Sequence, residues 1–195
     1  DATDYPDNPA GISHGTHVAS TIAGSDDSFP GVAPEADLVI LRVLGNDGGG
    51  SMRGIERALQ KVIQIADKYN IVVVNMSLGV SSEIFQNPLR SFISDEISTL
   101  ASMGIIVVSA SGNHFEEFGS QQGVLWPSAD PYAFSIGNIS IDDRPKGDFY
   151  EPSYGRDKFV SSSNRDENMT TVAAPGHALP AAADGGGIVS LNGTS

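Results

Sequence analysis

The sequence predicts an α/β fold, a doubly wound, mostly parallel sheet with helices on both faces. Two observations carry this. Short apolar runs rich in Val and Ile recur at Asp37 to Leu44, Ile71 to Met76, Ile105 to Ala110 and Ala133 to Ile139, and each suits a strand buried on both faces. Amphipathic stretches of helical period lie between them, so the order reads strand, helix, strand, helix, strand. Strands joined by helices long enough to cross over run parallel, and such crossovers are almost always right-handed.

The elements follow in order. Ser13 stands where it can cap a helix opening at His14, whose Ala19, Ile22 and Ala23 form a small apolar face for close packing. The run Asp37 to Leu44 is the first expected strand, followed by Gly48, Gly49 and Gly50. From Met52 to Tyr69, Ile55, Leu59, Val62, Ile63 and Ala66 share one helical stripe, while Glu56, Arg57, Lys61 and Lys68 lie elsewhere. After the strand Ile71 to Met76, Leu89 to Met103 repeats the helical pattern with Phe92, Ile93, Ile97 and Leu100. Gly104 stands where that helix should stop. The strands Ile105 to Ala110 and Ala133 to Ile139 follow, and Arg144 to Asn168, polar with Pro, Gly and Ser, reads as a surface loop with a short hairpin.

Bulk composition bounds the function. A chain of 195 residues with 39% hydrophobic content can bury one core, and we read residues 1–195 as a single domain. The 24 acidic against 11 basic residues give a formal charge of −13, which disfavours nucleic acid or an anionic membrane as partner. The absence of cysteine removes disulfides, thiolate catalysis and cysteine-based zinc sites together. No signal peptide and no apolar run long enough to cross a bilayer is readable in the chain.

In a doubly wound sheet, reactive residues gather at strand C-terminal ends. Ser77-Leu78-Gly79, Ser111-Gly112-Asn113 and the glycines Gly48 to Gly50 each follow an expected strand. A serine hydroxyl is a poor nucleophile at neutral pH unless an imidazole takes its proton as it attacks, and His14 is the base of choice for Ser195. His14 and His17, three apart, can instead share a helix face and bind zinc, although no acidic residue follows in a zincin-type arrangement. Asn113, at a strand end, can donate its side-chain amide to the oxyanion of a tetrahedral intermediate; the plainer reading of that position is turn chemistry.

His14-Gly15-Thr16-His17, Ser111-Gly112-Asn113 and Gly193-Thr194-Ser195 occur in one order, with Gly31-Val32-Ala33-Pro34, Asn75-Met76-Ser77-Leu78-Gly79, Trp126-Pro127 and Ala174-Pro175-Gly176 between them. Taken together they resemble the subtilisin-like serine proteases (subtilases, peptidase S8) over nearly the whole chain. The resemblance implies a serine endopeptidase with Ser195 as nucleophile, His14 as base, Asn113 in the oxyanion hole and His17 turned into the structure. It further implies that Gly48, Gly49 and Gly50 and Ser77, Leu78 and Gly79 flank a peptide substrate as an antiparallel pair. The pocket for the side chain before the scissile bond then has walls from Ser77 to Gly79 and from Ala110, Ser111 and Gly112, with a base at Leu125, Trp126 and Pro127. Leu125 departs from the small residue common there, and a shorter pocket favouring medium apolar side chains is expected. The resemblance also implies a cis Trp126-Pro127 bond, an extracellular setting, protein or peptide substrates, a prodomain in the parent protein and no required cofactor. Calcium is allowed as a structural ion, with Asp26 and Asp27 as its weak candidates in a loop shorter than the family's common calcium loop.

The chain also departs from the family pattern. The triad aspartate belongs at the end of an early strand, and none of Asp1, Asp4 and Asp7, in a polar segment, can be assigned that part. The family also continues past the nucleophile into a buried helix, whereas Ser195 is terminal here. These departures predict an incomplete catalytic domain lacking the first strand and the helix after the nucleophile, inactive and only partly ordered alone. A non-catalytic module that binds peptides in the Gly48 and Ser77 groove is the alternative.

Overall fold

The computed structural model describes residues 14–45, 48–141 and 155–195; Ser13, Asp1, Asp4, Asp7 and the first part of the Arg144 to Asn168 loop lie outside them. In chain order the elements are α1 (His14–Ala23), α2 (Met52–Tyr69), β1 (Val73–Met76), β2 (Val80–Phe85), α3 (Ser94–Ser102), β3 (Ile106–Ala110), β4 (Val124–Trp126), β5 (Ala133–Ile139), β6 (Thr170–Pro175), β7 (Leu179–Ala182) and β8 (Ile188–Leu191). They gather into two compact units. One runs up to Leu59 and includes Ala178–Leu191; the other comprises Gln60–His177 with Asn192–Ser195.

In the first unit, β7 and β8 form an antiparallel hairpin pairing Leu179 with Leu191 and Ala182 with Ile188. Helix α1 packs on β7, where Ala182 N–H donates to Ser20 Oγ at 3.1 Å. The chain leaving α1 doubles back along its last turn: Gly31, Val32 and Ala33 donate their N–H groups to the carbonyls of Gly24, Thr21 and Ile22 at 2.8, 3.0 and 2.7 Å. Carbonyls that a helix end leaves unpaired are thereby satisfied. Asp37 to Leu44, expected as a strand, is not one. An extended segment becomes a strand only where a neighbour takes its peptide groups. Among the described residues this segment has only an isolated bridge between Leu44 and Gly50, and Leu38, Val39 and Ile40 stay 40%, 42% and 57% exposed.

The second unit holds the parallel sheet, in the order β1-β3-β5-β6. The apolar side chains of Ile97 and Leu100 on α3 and of Val107 on β3 are fully buried where the helix packs on the sheet. Helix α3 begins at Ser94 and not at Leu89. Leu89 N–H is already given to Ala129 C=O at 2.8 Å, and Ser91 N–H turns back to Ser94 Oγ at 2.7 Å. Its end follows the Schellman pattern: Gly104, at φ +79°, donates to Ala101 C=O at 3.0 Å and Ile105 to Leu100 C=O at 2.9 Å. That left-handed φ is why a glycine stands there. On the opposite face of the sheet a row of apolar side chains meets solvent: Val73, Ile106, Phe134 and Val172, each between 41% and 49% exposed.

Strands β2 and β4 form a separate antiparallel pair, with Val80 opposite Trp126 and Phe85 opposite Val124. This ladder draws Gly79 alongside Leu125 and Trp126. The Trp126–Pro127 bond is cis.

Candidate active site

His14 opens α1 in the first unit, and its imidazole pKa lies below the ordinary 6.5, first because it is buried and second because His17 adds a like charge. The ring is therefore neutral at pH 7, the state that can accept a proton. His17 is committed elsewhere: its Nε2 lies 3.0 Å from Leu179 C=O. A carbonyl only accepts, so His17 carries its proton on Nε2 and ties α1 to β7. Gly48, Gly49 and Gly50 belong to the same unit, in a turn closed by Gly45 N–H to Gly49 C=O at 2.7 Å and Gly48 N–H to Gly45 C=O at 3.1 Å. Asp26 Oδ1 accepts Ser28 N–H at 2.8 Å in a local turn. Among the described residues no cluster of three or more His, Asp or Glu gathers to hold a metal, and two carboxylates fall short of the six to eight oxygens calcium takes.

Asn113 and Ser195 lie in the second unit. Asn113 is exposed at the end of β3, and its Oδ1 accepts Thr194 N–H at 3.0 Å and Thr194 Oγ1–H at 3.1 Å. A backbone N–H can only donate, so the oxygen must face Thr194 and the Nδ2 group is turned the other way. Thr194 Oγ1 in turn accepts Gly112 N–H at 3.1 Å. The residue before Ser195 thus holds the carboxamide whose N–H groups stay available. Gly193, one residue earlier, donates to Gly176 C=O at 2.9 Å. A methyl group on Gly176 would come within 2.2 Å of Gly193 C=O and 2.7 Å of Asn138 Oδ1, so the Pro175-Gly176 turn admits no side chain where it meets the Ser195 segment.

The three stretches expected to frame the pocket come together in this unit. Leu125 N–H donates to Ser111 C=O at 2.8 Å. A methyl group on Gly112, whose φ is +114°, would approach Leu125 Cγ to 2.5 Å; one on Gly79 would approach Leu125 Cδ1 to 3.5 Å. Leu125, buried, therefore fills the space between the Ser77 to Gly79 and Ala110 to Gly112 segments. Trp126 is held from outside by its indole N–H to Ser91 Oγ at 2.7 Å.

Sequence reasoning missed the residues that hold Asn113. Asn164, wholly buried, falls in the Arg144 to Asn168 stretch whose composition predicts a surface loop, and Thr194 carries no signal beyond the Gly193-Thr194-Ser195 motif. Neither link is visible locally, because the partners are 50 and 81 residues apart. Nothing in the local sequence marks Asn164, which stands in the unbroken polar run from Ser161 to Asn168.

The second unit thus presents a parallel sheet with an exposed carboxamide at the end of β3, held by the Gly-Thr-Ser segment. The subtilase family profile matches residues 1–195, and the chain belongs to that family. It is 30% identical over 192 residues to subtilisin-like protease 4 of Arthroderma gypseum, covering 97% of this chain and 41% of that protein. It is 31% identical over 191 residues to subtilisin E of Bacillus subtilis, covering 95% and 42%, and 30% identical over 192 residues to subtilisin BL of Lederbergia lenta, covering 97% and 60%. The chain thus spans less than half the length of two of these relatives and 60% of the third.

Proposed function

We propose that the protein carrying this chain is a secreted serine endopeptidase. Ser195 Oγ attacks the substrate carbonyl carbon while His14 takes the hydroxyl proton, and the carbonyl oxygen becomes an oxyanion. Asn113 Nδ2 donates to that oxyanion; His14 then returns its proton to the leaving amine as the peptide bond breaks and the acyl group stays on Ser195. Water, deprotonated by His14, then bonds to the acyl carbon, the bond to Ser195 Oγ breaks, and His14 returns the proton to that oxygen. The carboxylate that completes the triad is assigned to no residue among 1–195.

The observation that supports this reading most is the fixed orientation of Asn113. An amide bound through its oxygen by the residue next to the nucleophile keeps its donors free for charge that appears only during reaction. Leu125 supports a specificity as well: its side chain shortens the space between the two pocket walls, favouring substrates with a medium apolar residue before the scissile bond. Substrates are proteins or peptides gripped by their main chain along Gly48 to Gly50 and Ser77 to Gly79, as an added strand would be. No cofactor enters these steps.

Turnover of a peptide anilide by the product of the full reading frame that carries residues 1–195 tests the proposal. Activity should vanish with His14→Ala and with Ser195→Ala. With Asn113→Leu, kcat should fall about a hundredfold to a thousandfold, the size known for this kind of donor in subtilisin. Saturable peptide binding without turnover, unaffected by Ser195→Ala, would identify a binding module and sink the endopeptidase reading.

A further inference from the structure

The reaction proposed above asks Asn113 to present its amide in one direction, yet Asn113 is exposed and stands where β3 has already ended. Something other than the sheet must hold it. The two peptide planes that flank its Cα both end on a single residue. Gly112 C=O, in the plane before Asn113, accepts Asn164 N–H at 2.8 Å. His114 N–H, in the plane after it, donates to Asn164 Oδ1 at 2.8 Å. With both planes pinned, φ and ψ of Asn113 are set, and with them the direction of its Cα–Cβ bond. Thr194 then fixes only the remaining side-chain rotation.

Asn164 is itself held from several sides. It is wholly buried, its carbonyl accepts Ser111 Oγ–H at 2.6 Å, and its Nδ2 has no hydrogen-bond partner among the described residues. The acceptor half of its amide is thus the half that makes the contact. The neighbouring residues extend the grip in the same direction. Phe115 N–H donates to Ser162 C=O at 3.0 Å, and the Arg165 guanidinium lies 3.7 Å from the centre of the Phe115 ring while its Nη1 donates to Ser163 C=O at 2.9 Å.

We propose that Asn164 is a positioning residue for Asn113, clamping the peptide groups on either side of it so that the carboxamide meets the oxyanion. The proposal rests on the endopeptidase reading for what Asn113 does. Asn164→Ala deletes the Oδ1 acceptor and leaves the backbone contact; Asn164→Asp keeps an acceptor oxygen in its place. In the reading-frame product, Asn164→Ala should lower kcat roughly tenfold to a hundredfold with KM within about twofold, and Asn164→Asp should recover most of it. In an Asn113→Ala background the same Asn164→Ala change should have no further effect, because the group it positions is gone. An undiminished loss in that background, or a rise in KM at constant kcat, overturns the proposal.

Hydrogen exchange at the His114 amide supplies an arm independent of activity. It should be slow in the parent and in Asn164→Asp, and at least about tenfold faster in Asn164→Ala. An amide as protected in Asn164→Ala as in the parent, or unprotected in the parent, overturns the clamp. If no form turns over substrate, the endopeptidase reading fails and the exchange measurement still decides the clamp.

Discussion

Thr194→Val is the perturbation whose size the structure sets most directly. Valine keeps the shape of threonine and removes only the hydroxyl. Two hydrogen bonds go with it, the one accepted from Gly112 N–H at 3.1 Å and the one donated to Asn113 Oδ1 at 3.1 Å. The consequences are unequal. Asn113 Oδ1 is exposed enough to turn to water and keeps Thr194 N–H at 3.0 Å, so its loss amounts to about 1 kcal/mol. Gly112 is buried, and its N–H is left without an acceptor, which costs a further 1–3 kcal/mol or thereabouts. The sum is roughly 2–4 kcal/mol, a large share of a typical domain's stability. Thr194→Ser restores the oxygen and should lie within about 1 kcal/mol of the parent. Urea unfolding read from the fluorescence of Trp126, the chain's single tryptophan and a buried one, measures the difference. A midpoint for Thr194→Val equal to that for Thr194→Ser would refute the reasoning, since it would mean Gly112 N–H never depended on that hydroxyl.

Further outcomes follow from the same contacts. Because burial and the His17 charge lower the His14 pKa, the unfolded chain takes a proton there before the folded chain does. Its contribution is therefore intact above the ordinary value of about 6.5 and is lost as pH falls through the lowered folded value, and urea midpoints should drop across that acid window in the parent but less in His14→Gln. Glu96, 5% exposed, has one carboxylate oxygen bonded to Gln60 Nε2 at 2.8 Å and the other buried without a partner. Burial, partly offset by Gln60, raises its pKa, so its contribution is present below the ordinary 4.5 and lost as pH rises through the raised folded value. Glu96→Gln should thus stabilise the chain at pH 7 by about 1–3 kcal/mol and by much less at pH 4, a comparison of unfolding midpoints that would fail if the two pH values gave equal gains. Leu125→Ala should cost about 2–5 kcal/mol in stability and, in the reading-frame product, move peptide-library preference toward Phe and Tyr before the scissile bond; an unchanged library profile would detach Leu125 from the pocket.

How much of this was legible depended on how local each signal was. Helix α2 and strand β5 have the bounds their pattern implies, because an apolar stripe over Met52–Tyr69 and a short, largely apolar run over Ala133–Ile139 are written in consecutive residues. The run Asp37 to Leu44 carried the same kind of signal and misled, because a strand needs a neighbour as well as a composition. Strands β2 and β4 carry no local signal for the converse reason: Val80–Phe85 mixes Ser and Glu with its apolar residues, Val124–Trp126 has three residues, and their ladder joins positions some forty apart. The hairpin β7–β8 has a local signal in the glycines Gly185 to Gly187 between two apolar stretches. At the site, Asn113 announced itself through its strand end, while Asn164 could not, since its importance lies in contacts that only folding creates.

One measurement bears on the whole account: mapping the adduct of a serine-directed fluorophosphonate on the full reading-frame product by mass spectrometry. The account predicts a single modified residue, Ser195, with labelling abolished by His14→Ala and slowed by Asn113→Leu. Modification of a different serine, or labelling of Ser195 that ignores the loss of His14, would contradict it.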